Sequence, residues 1–238
     1  MVSVNRLTEG SGLGVLPSES DASERKCGVM KRDRKLAGIG AIIFGGLFIP
    51  GMIFGNVPGG DYDAGDVADF VASGHRTNIY ISIALLALAV VGLLLVTAYL
   101  SGTYFGEGVS GRIAWGTGLL AAAALIIGLG VAYTPAMSLA VGGGPSIDPE
   151  VSYTIMQAGL GVMFFVGGIM LGVSLLALAL GGHAAPTWVR AVSGLVGLLA
   201  LFSIMFFPFF AVLLWGLAIG IWLLASSPPD KAPTAQAA

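Results

Sequence analysis

The hydrophobic positions of this chain fall into long unbroken blocks rather than alternating or recurring at helical spacing. Four blocks run over residues 36–54, 79–100, 113–133 and 155–180, and a fifth covers 188–225. At about 1.5 Å per residue, each of the first four is long enough as a helix to cross a hydrocarbon core of about 30 Å. The fifth, as one helix, would measure roughly 57 Å, nearly twice that thickness. Pro208 lies near its middle, in Phe206-Phe207-Pro208-Phe209-Phe210. Proline removes a helical donor and disfavours helix at the residue before it. The pattern therefore predicts two short helices, 188–206 and 209–225, joined by a tight turn.

The expected architecture is all-α: a polytopic membrane bundle of six transmembrane helices filling residues 36–225. Residues 1–35 read as a disordered, basic cytoplasmic segment and 226–238 as a disordered cytoplasmic tail. Met30 precedes Lys31-Arg32-Asp33-Arg34-Lys35, and residues 1–29 are expected to be dispensable. The first block is too long for a signal-peptide core, and no Ala-x-Ala site follows it, so it reads as an uncleaved anchor.

Composition strengthens the membrane reading. Of 238 residues, 56% are hydrophobic and 10% charged, and 37 are glycine, whereas a soluble domain carries about 25% charged residues. The arrangement of charge says more than its net value. With the N-terminus inside, Arg6, Arg25, Lys26, Lys31, Arg32, Arg34, Lys35, Arg112, Arg190 and Lys231 all fall on the inner side, leaving only Arg76 outside. Such asymmetry is what positive-inside sorting produces, and it predicts the cytoplasmic membrane with both termini cytoplasmic. The single cysteine, Cys27, excludes an intramolecular disulfide and any cysteine-cluster metal site.

No Asp, Glu, Lys, Arg or His occupies the centre of a span. Proton relays and ion-coupled transport usually need such groups at depth. The central polar side chains are hydroxyls at Ser82, Thr97, Thr117, Ser174, Ser193 and Ser203, expected to bond the carbonyl one turn back. Trp215 sits mid-span and needs a partner for its indole N–H. Gly51 and Gly55, Ala124 and Gly128, Gly168 and Gly172, and Gly216 and Gly220 recur at four-residue spacing, which favours close helix crossing inside the bundle. No catalytic residue, cofactor or metal is expected.

The richest polar segment is the first outer loop, residues 56–78. Asp63 or Asp66 can cap a short amphipathic helix whose apolar stripe is Val67, Phe70 and Val71. Gly74 would end it, and Thr77 or Asn78 would cap the next span. The four aspartates do not follow an EF-hand loop and read as a solvated acidic face. His75 and Arg76 stand where loop meets membrane. They read either as an interfacial pair or as a latch onto Asp66 or Asp69. Asp66, Asp69, Phe70, His75 and Arg76 are therefore the candidate outer-face interaction site. A further start signal, Asp148-Pro149, predicts a helix running unbroken into the fourth span. The turn around Pro208, with its four phenylalanines, is expected to sink below the outer surface under the Val67/Phe70/Val71 stripe.

Several of these features together resemble an uncharacterised six-span bacterial membrane protein family, common in actinobacteria and of the DUF4386-like kind. They are the run from Asp66 to Asn78 into a Leu/Ala-rich span, Pro186-x-Trp188 with Gly194-Leu195, and the Phe-Pro-Phe turn before a Leu/Trp-rich last helix. The resemblance covers roughly residues 35–225 and implies topology without an activity. The functional expectation is a non-enzymatic structural, sensory or partner-binding membrane component, with a small-solute or lipid transporter as the alternative. The expected partners are membrane lipids and a protein in the membrane, not nucleic acid. Among interfacial groups, His75, Asp66 and Asp69 lie outside while His183 and Glu107 lie inside, so no catalytic set assembles.

Overall fold

The computed structural model describes residues 19–72, 76–105, 108–142, 148–203 and 207–226. These residues form eight α-helices and one π turn. In chain order they are α1 (Glu19–Gly55), α2 (Ala64–Val71), α3 (Arg76–Tyr104), α4 (Val109–Gly142), α5 (Pro149–Gly161), the π turn Val162–Val166, α6 (Gly167–Gly181), α7 (Thr187–Leu201) and α8 (Phe207–Ala225). Helices α5 and α6 join through the π turn into one segment, Pro149–Gly181, as the Asp148-Pro149 signal predicts.

Five segments are long and apolar enough to cross a bilayer: Val29–Gly55, Arg76–Tyr104, Val109–Ser138, Pro149–Gly181 and Phe207–Ala225. The chain is a helical, multi-pass membrane protein. The expectation of six full-length spans needs correction at α7, an apolar helix of only 15 residues. It stops at Leu201 rather than 206, and the buried Ser203 follows it. The break before Pro208 is where proline chemistry demands one. Helix α8 opens at Phe207 with Pro208 in its first turn, where a missing N–H costs nothing.

The N-terminal expectation also changes. Part of the stretch 1–35 that reads as disordered is helical, because α1 begins at Glu19. Once a long apolar helix is nucleated, extending it through Ala, Glu, Arg and Lys costs little per residue. The four phenylalanines flanking Pro208 are described only from Phe207 onward, and residues 1–18 and 227–238 lie outside the described residues.

Helix α1 packs most extensively on α3, then on α8. Its buried stripe is Arg34, Ala37, Ala41, Phe44 and Phe48, at three- and four-residue steps. Small residues bring the axes together: a Cβ on Gly40 would lie 2.9 Å from the Gly92 carbonyl oxygen of α3. Likewise a Cβ on Gly172 would meet the Gly197 carbonyl oxygen of α7 at 2.9 Å. The four spaced pairs expected to pack within the bundle do so. Gly51 faces Leu86, Gly128 faces Met163, Gly168 faces Ser203, and Gly220 faces Ile42.

Buried polar groups act mostly between helices, not one turn back as expected. Ser82 Oγ donates to the Gly51 carbonyl at 2.6 Å, Ser174 Oγ to Ala114 at 2.8 Å, and Ser203 Oγ to Phe164 at 3.0 Å. Trp215 Nε1 donates to Ser193 Oγ at 2.9 Å, supplying the partner its depth requires. Thr117 alone among these follows the local pattern, donating to Ile113 at 2.7 Å. The last of the cross-helix bonds has a clear cause. A π turn shifts the backbone ladder by one residue, and Ser203 adds a second donor to the Phe164 carbonyl, which also accepts from the Gly167 N–H.

Arg34 in the first span meets the end of α8. Arg34, 3% exposed, donates from Nε to the Leu223 carbonyl at 3.0 Å and from Nη2 to Ser226 Oγ. Its guanidinium lies 5.7 Å from the Trp222 ring centroid. Trp222 in turn packs edge-on against Trp188 at 5.5 Å and beside Tyr104 at 6.1 Å. The Arg34 turn of α1, the ends of α3 and α8, and the start of α7 thus come together at one end of the bundle. A cation at the last carbonyls of α8 also complements that helix's dipole.

Candidate outer-face site

At the opposite end, the loop after α1 is shaped residue by residue. Asn56 ends α1 in the left-handed region at φ 43°, with its N–H on the Met52 carbonyl at 3.0 Å. Asparagine tolerates that conformation better than most residues. The loop is then held by α5: Gln157 Nε2 donates to the Pro58 carbonyl at 2.9 Å, and the Tyr153 hydroxyl donates to that of Gly60. Tyr62 packs edge-on against Tyr153 at 5.3 Å.

Asp63 begins α2, accepting from the N–H groups of Gly65 at 2.7 Å and Asp66 at 3.2 Å. Asp148 caps α5 in the same way through Glu150 at 2.9 Å. The amphipathic reading of α2 holds, for Val67 and Phe70 are 1% and 4% exposed. The surface they cover differs from the one expected. Phe70 stacks on Tyr133 of α4, centroids 6.1 Å apart, and α2 packs on α4 and α5. Residues 204–206 of the turn before α8 lie outside the described residues, and Phe207 at the start of α8 is exposed. Phe209, also buried, sits 5.1 Å from Phe48 and 5.3 Å from Phe164. The deep position of Phe209 comes from helix packing beneath it, and α2 acts as a lid over Tyr133.

Tyr133 continues the connection inward. Its hydroxyl is 2.6 Å from Ser82 Oγ, whose single proton goes to the Gly51 carbonyl, so Tyr133 is the donor of this pair. The chain Phe70–Tyr133–Ser82–Gly51 ties the outer lid to α4, α3 and α1 in turn.

Between the lid and the end of α1 lies a recess of about 430 Å³. Asp61, Asp63, Asp66 and Asp69 line it together with Asn56, Asn78, Phe54 and Phe70. Asp66, Asp69 and Phe70 thus line one recess. Arg76 does not line the recess and makes no ion pair with either aspartate among the described residues, so the latch does not form with Arg76. Its Nε is buried without a hydrogen-bond partner. His75, the other half of the proposed latch, lies outside the described residues. The negative field of this face is felt by Tyr62, whose phenol is pushed above its ordinary range. Desolvation is the first cause, followed by the carboxylates of Asp148, Glu150 and Asp63.

Sequence reasoning missed a second opening beside the first. A cavity of about 280 Å³ lies between α1, α8 and the π turn, lined by Phe48, Ile49, Met52, Ile53, Phe164, Phe209, Phe210 and Leu213. Asn56 and Val57 line both openings. The Phe cluster around Pro208 was the available signal, but nothing local pairs it with Phe48 or Phe164. By contrast, the mainly apolar void beside Ser174 and Trp215 inside the bundle holds only about 20 Å³. No group of three or more His, Cys, Asp or Glu among the described residues has the geometry to hold a metal ion.

The fold and its rim site define a helical membrane bundle with an acidic recess between α2 and the end of α1. No family model, curated protein or solved structure matches the chain.

Proposed function

We propose that this protein is a non-enzymatic, six-span component of the cytoplasmic membrane that binds a ligand or membrane partner at its outer rim. The observation carrying this reading is the contrast in space. The centre offers a void of about 20 Å³, room for about one water, while the outer recess offers about 430 Å³. Buried hydroxyls at Ser82, Ser174 and Ser203 are spent on neighbouring carbonyls, leaving little to line a solute path.

Six crossings are supported by parity. The first span begins and α8 ends on one face, joined by Arg34 to Leu223 and Ser226. Five crossings would separate those ends, so α7 counts as a short sixth. It spans about 22 Å. Basic asymmetry supports the cytoplasmic assignment of that shared face. The same topology agrees with the resemblance to DUF4386-like six-span proteins, on which no activity rests.

Lipid transport is the second reading, favoured by the apolar side opening at Phe48 and Phe209. Reconstitution of the full chain into liposomes separates the two. The protein is expected to release no entrapped solute and to leave the rate of fluorescent-phospholipid flip at that of empty vesicles. Cross-linking from Asp66→Cys in a Cys27→Ser background is expected to capture a discrete adduct. Flip well above the empty-vesicle rate would replace this reading with the transporter.

A further inference from the structure

The acidic recess and the apolar side cavity share a wall, and the side cavity faces lipid. Ile49 and Ile53, which border it, are 37% and 70% exposed on α1. An occupant of that cavity therefore arrives sideways from the outer leaflet, with hydrocarbon against Phe48, Met52 and Leu213. Its polar end must then pass Asn56 and Val57, the residues common to both openings. Beyond them stand four carboxylates and no described cationic side chain. The recess, at about 430 Å³, falls in the range of small-ligand pockets, about 300–1,000 Å³, and the side cavity of about 280 Å³ adjoins it.

We propose that the two openings form one site for an outer-leaflet lipid whose headgroup carries net positive charge. Chain and head have separate complements: aromatic and aliphatic walls take part of an acyl chain, and the aspartates take the cation. Asp63 spends one oxygen on capping α2, so Asp61, Asp66 and Asp69 carry most of the head contact. The Phe54 and Phe70 rings border the same recess and add quadrupole attraction for an ammonium group. A headgroup with net negative charge meets four carboxylates and is excluded. The lipid inference rests on the outer-rim reading and makes it specific.

The test uses the full chain in neutral phosphatidylcholine nanodiscs. These are doped equally with a dioleoyl lipid bearing a trimethylammonium head and a dioleoyl lipid bearing a phosphoglycerol head. Native mass spectrometry then counts the lipid retained. One cationic lipid per chain is expected, retained at least about tenfold over the anionic one, the ratio that one charge-assisted contact supplies. The triple variant Asp61→Asn, Asp66→Asn, Asp69→Asn leaves the Asp63 cap intact and is expected to erase that preference at unchanged helix content. Ile53→Trp, at an exposed rim position, is expected to lower retention by narrowing the side opening. Equal retention of both lipids by the parent overturns the lipid inference. If the parent then still binds soluble tetramethylammonium by calorimetry, and the triple variant does not, the outer-rim reading stands without it. If the parent binds neither probe, both fall.

Discussion

At the scale of single residues, the outer end is governed by one relay of hydroxyls. Ser82 serves two partners, donating to Gly51 and accepting from Tyr133. Tyr133→Phe removes one bond and leaves Ser82 still donating. Ser82→Ala removes the bond to the Gly51 carbonyl and strands the buried Tyr133 hydroxyl. Interhelical bonds in membranes are worth about 0.6 kcal/mol on average and up to about 1.7, while stranding a buried group costs about 1–3 kcal/mol. Ser82→Ala is therefore expected to lower the detergent-phase Tm more than Tyr133→Phe does. The reverse order would show that the relay does not run through Ser82. Gly55 makes the same region intolerant of bulk, since a Cβ there would lie 2.7 Å from Ser82 Oγ. The caps at Asp63 and Asp148 were readable because they depend only on neighbours two and three residues on. The Tyr133–Phe70 stack joins residues 63 positions apart, and no local signal announces it.

At the scale of elements, the π turn and α7 explain each other. Residues 162–166 widen the fourth span, and Ser203, just past the end of α7, donates into that widening at Phe164. Gly168 makes room for the serine: a Cβ there would lie 2.5 Å from the Ser203 Cβ. The end of α7 is thus fixed by a contact with another helix, which is why hydropathy placed it five residues too late. Ser203→Ala should remove one of the donors to the Phe164 carbonyl, which also accepts from the Gly167 N–H. Backbone amides around 162–168 are then expected to exchange hydrogen several-fold faster, with a loss of roughly 0.6–1.7 kcal/mol. Unchanged exchange there would mean that the π turn stands without the serine. The break itself was readable, because Pro208 and a 38-residue apolar run allow no single helix.

At the scale of the whole molecule, the strongest constraint is the meeting of Arg34 with the end of α8. A buried guanidinium bonded to Leu223 and Ser226 holds the first and last spans on a common face. Reporter fusions placed after Ser226 and within residues 143–147 are expected to report opposite sides, with the Ser226 fusion on the cytoplasmic one. An external signal from the Ser226 fusion would remove α7 from the count of crossings. Arg34 was counted in the sequence only as one of several inner charges, since nothing local distinguishes it from Arg32 or Lys35. Its burial comes from α8 arriving beside it.

What the sequence determined by itself was the choice of solvent. Blocks of 19 or more apolar residues with almost no charge require helices in lipid. Helix starts at Asp63 and Asp148 and the break at Pro208 were fixed with them, because capping and proline chemistry act within a few residues. What only the tertiary structure decided was which face of each helix turns inward. In water the core-facing side is recognised by its contrast with a polar side. Here the lipid-facing side is as apolar as the buried one, so packing, interhelical hydroxyls and close glycine contacts make the choice. The acidic recess was half visible for this reason. Its aspartates lie together in one loop, whereas its apolar neighbour is assembled from α1, the π turn and α8, which meet only in the folded bundle.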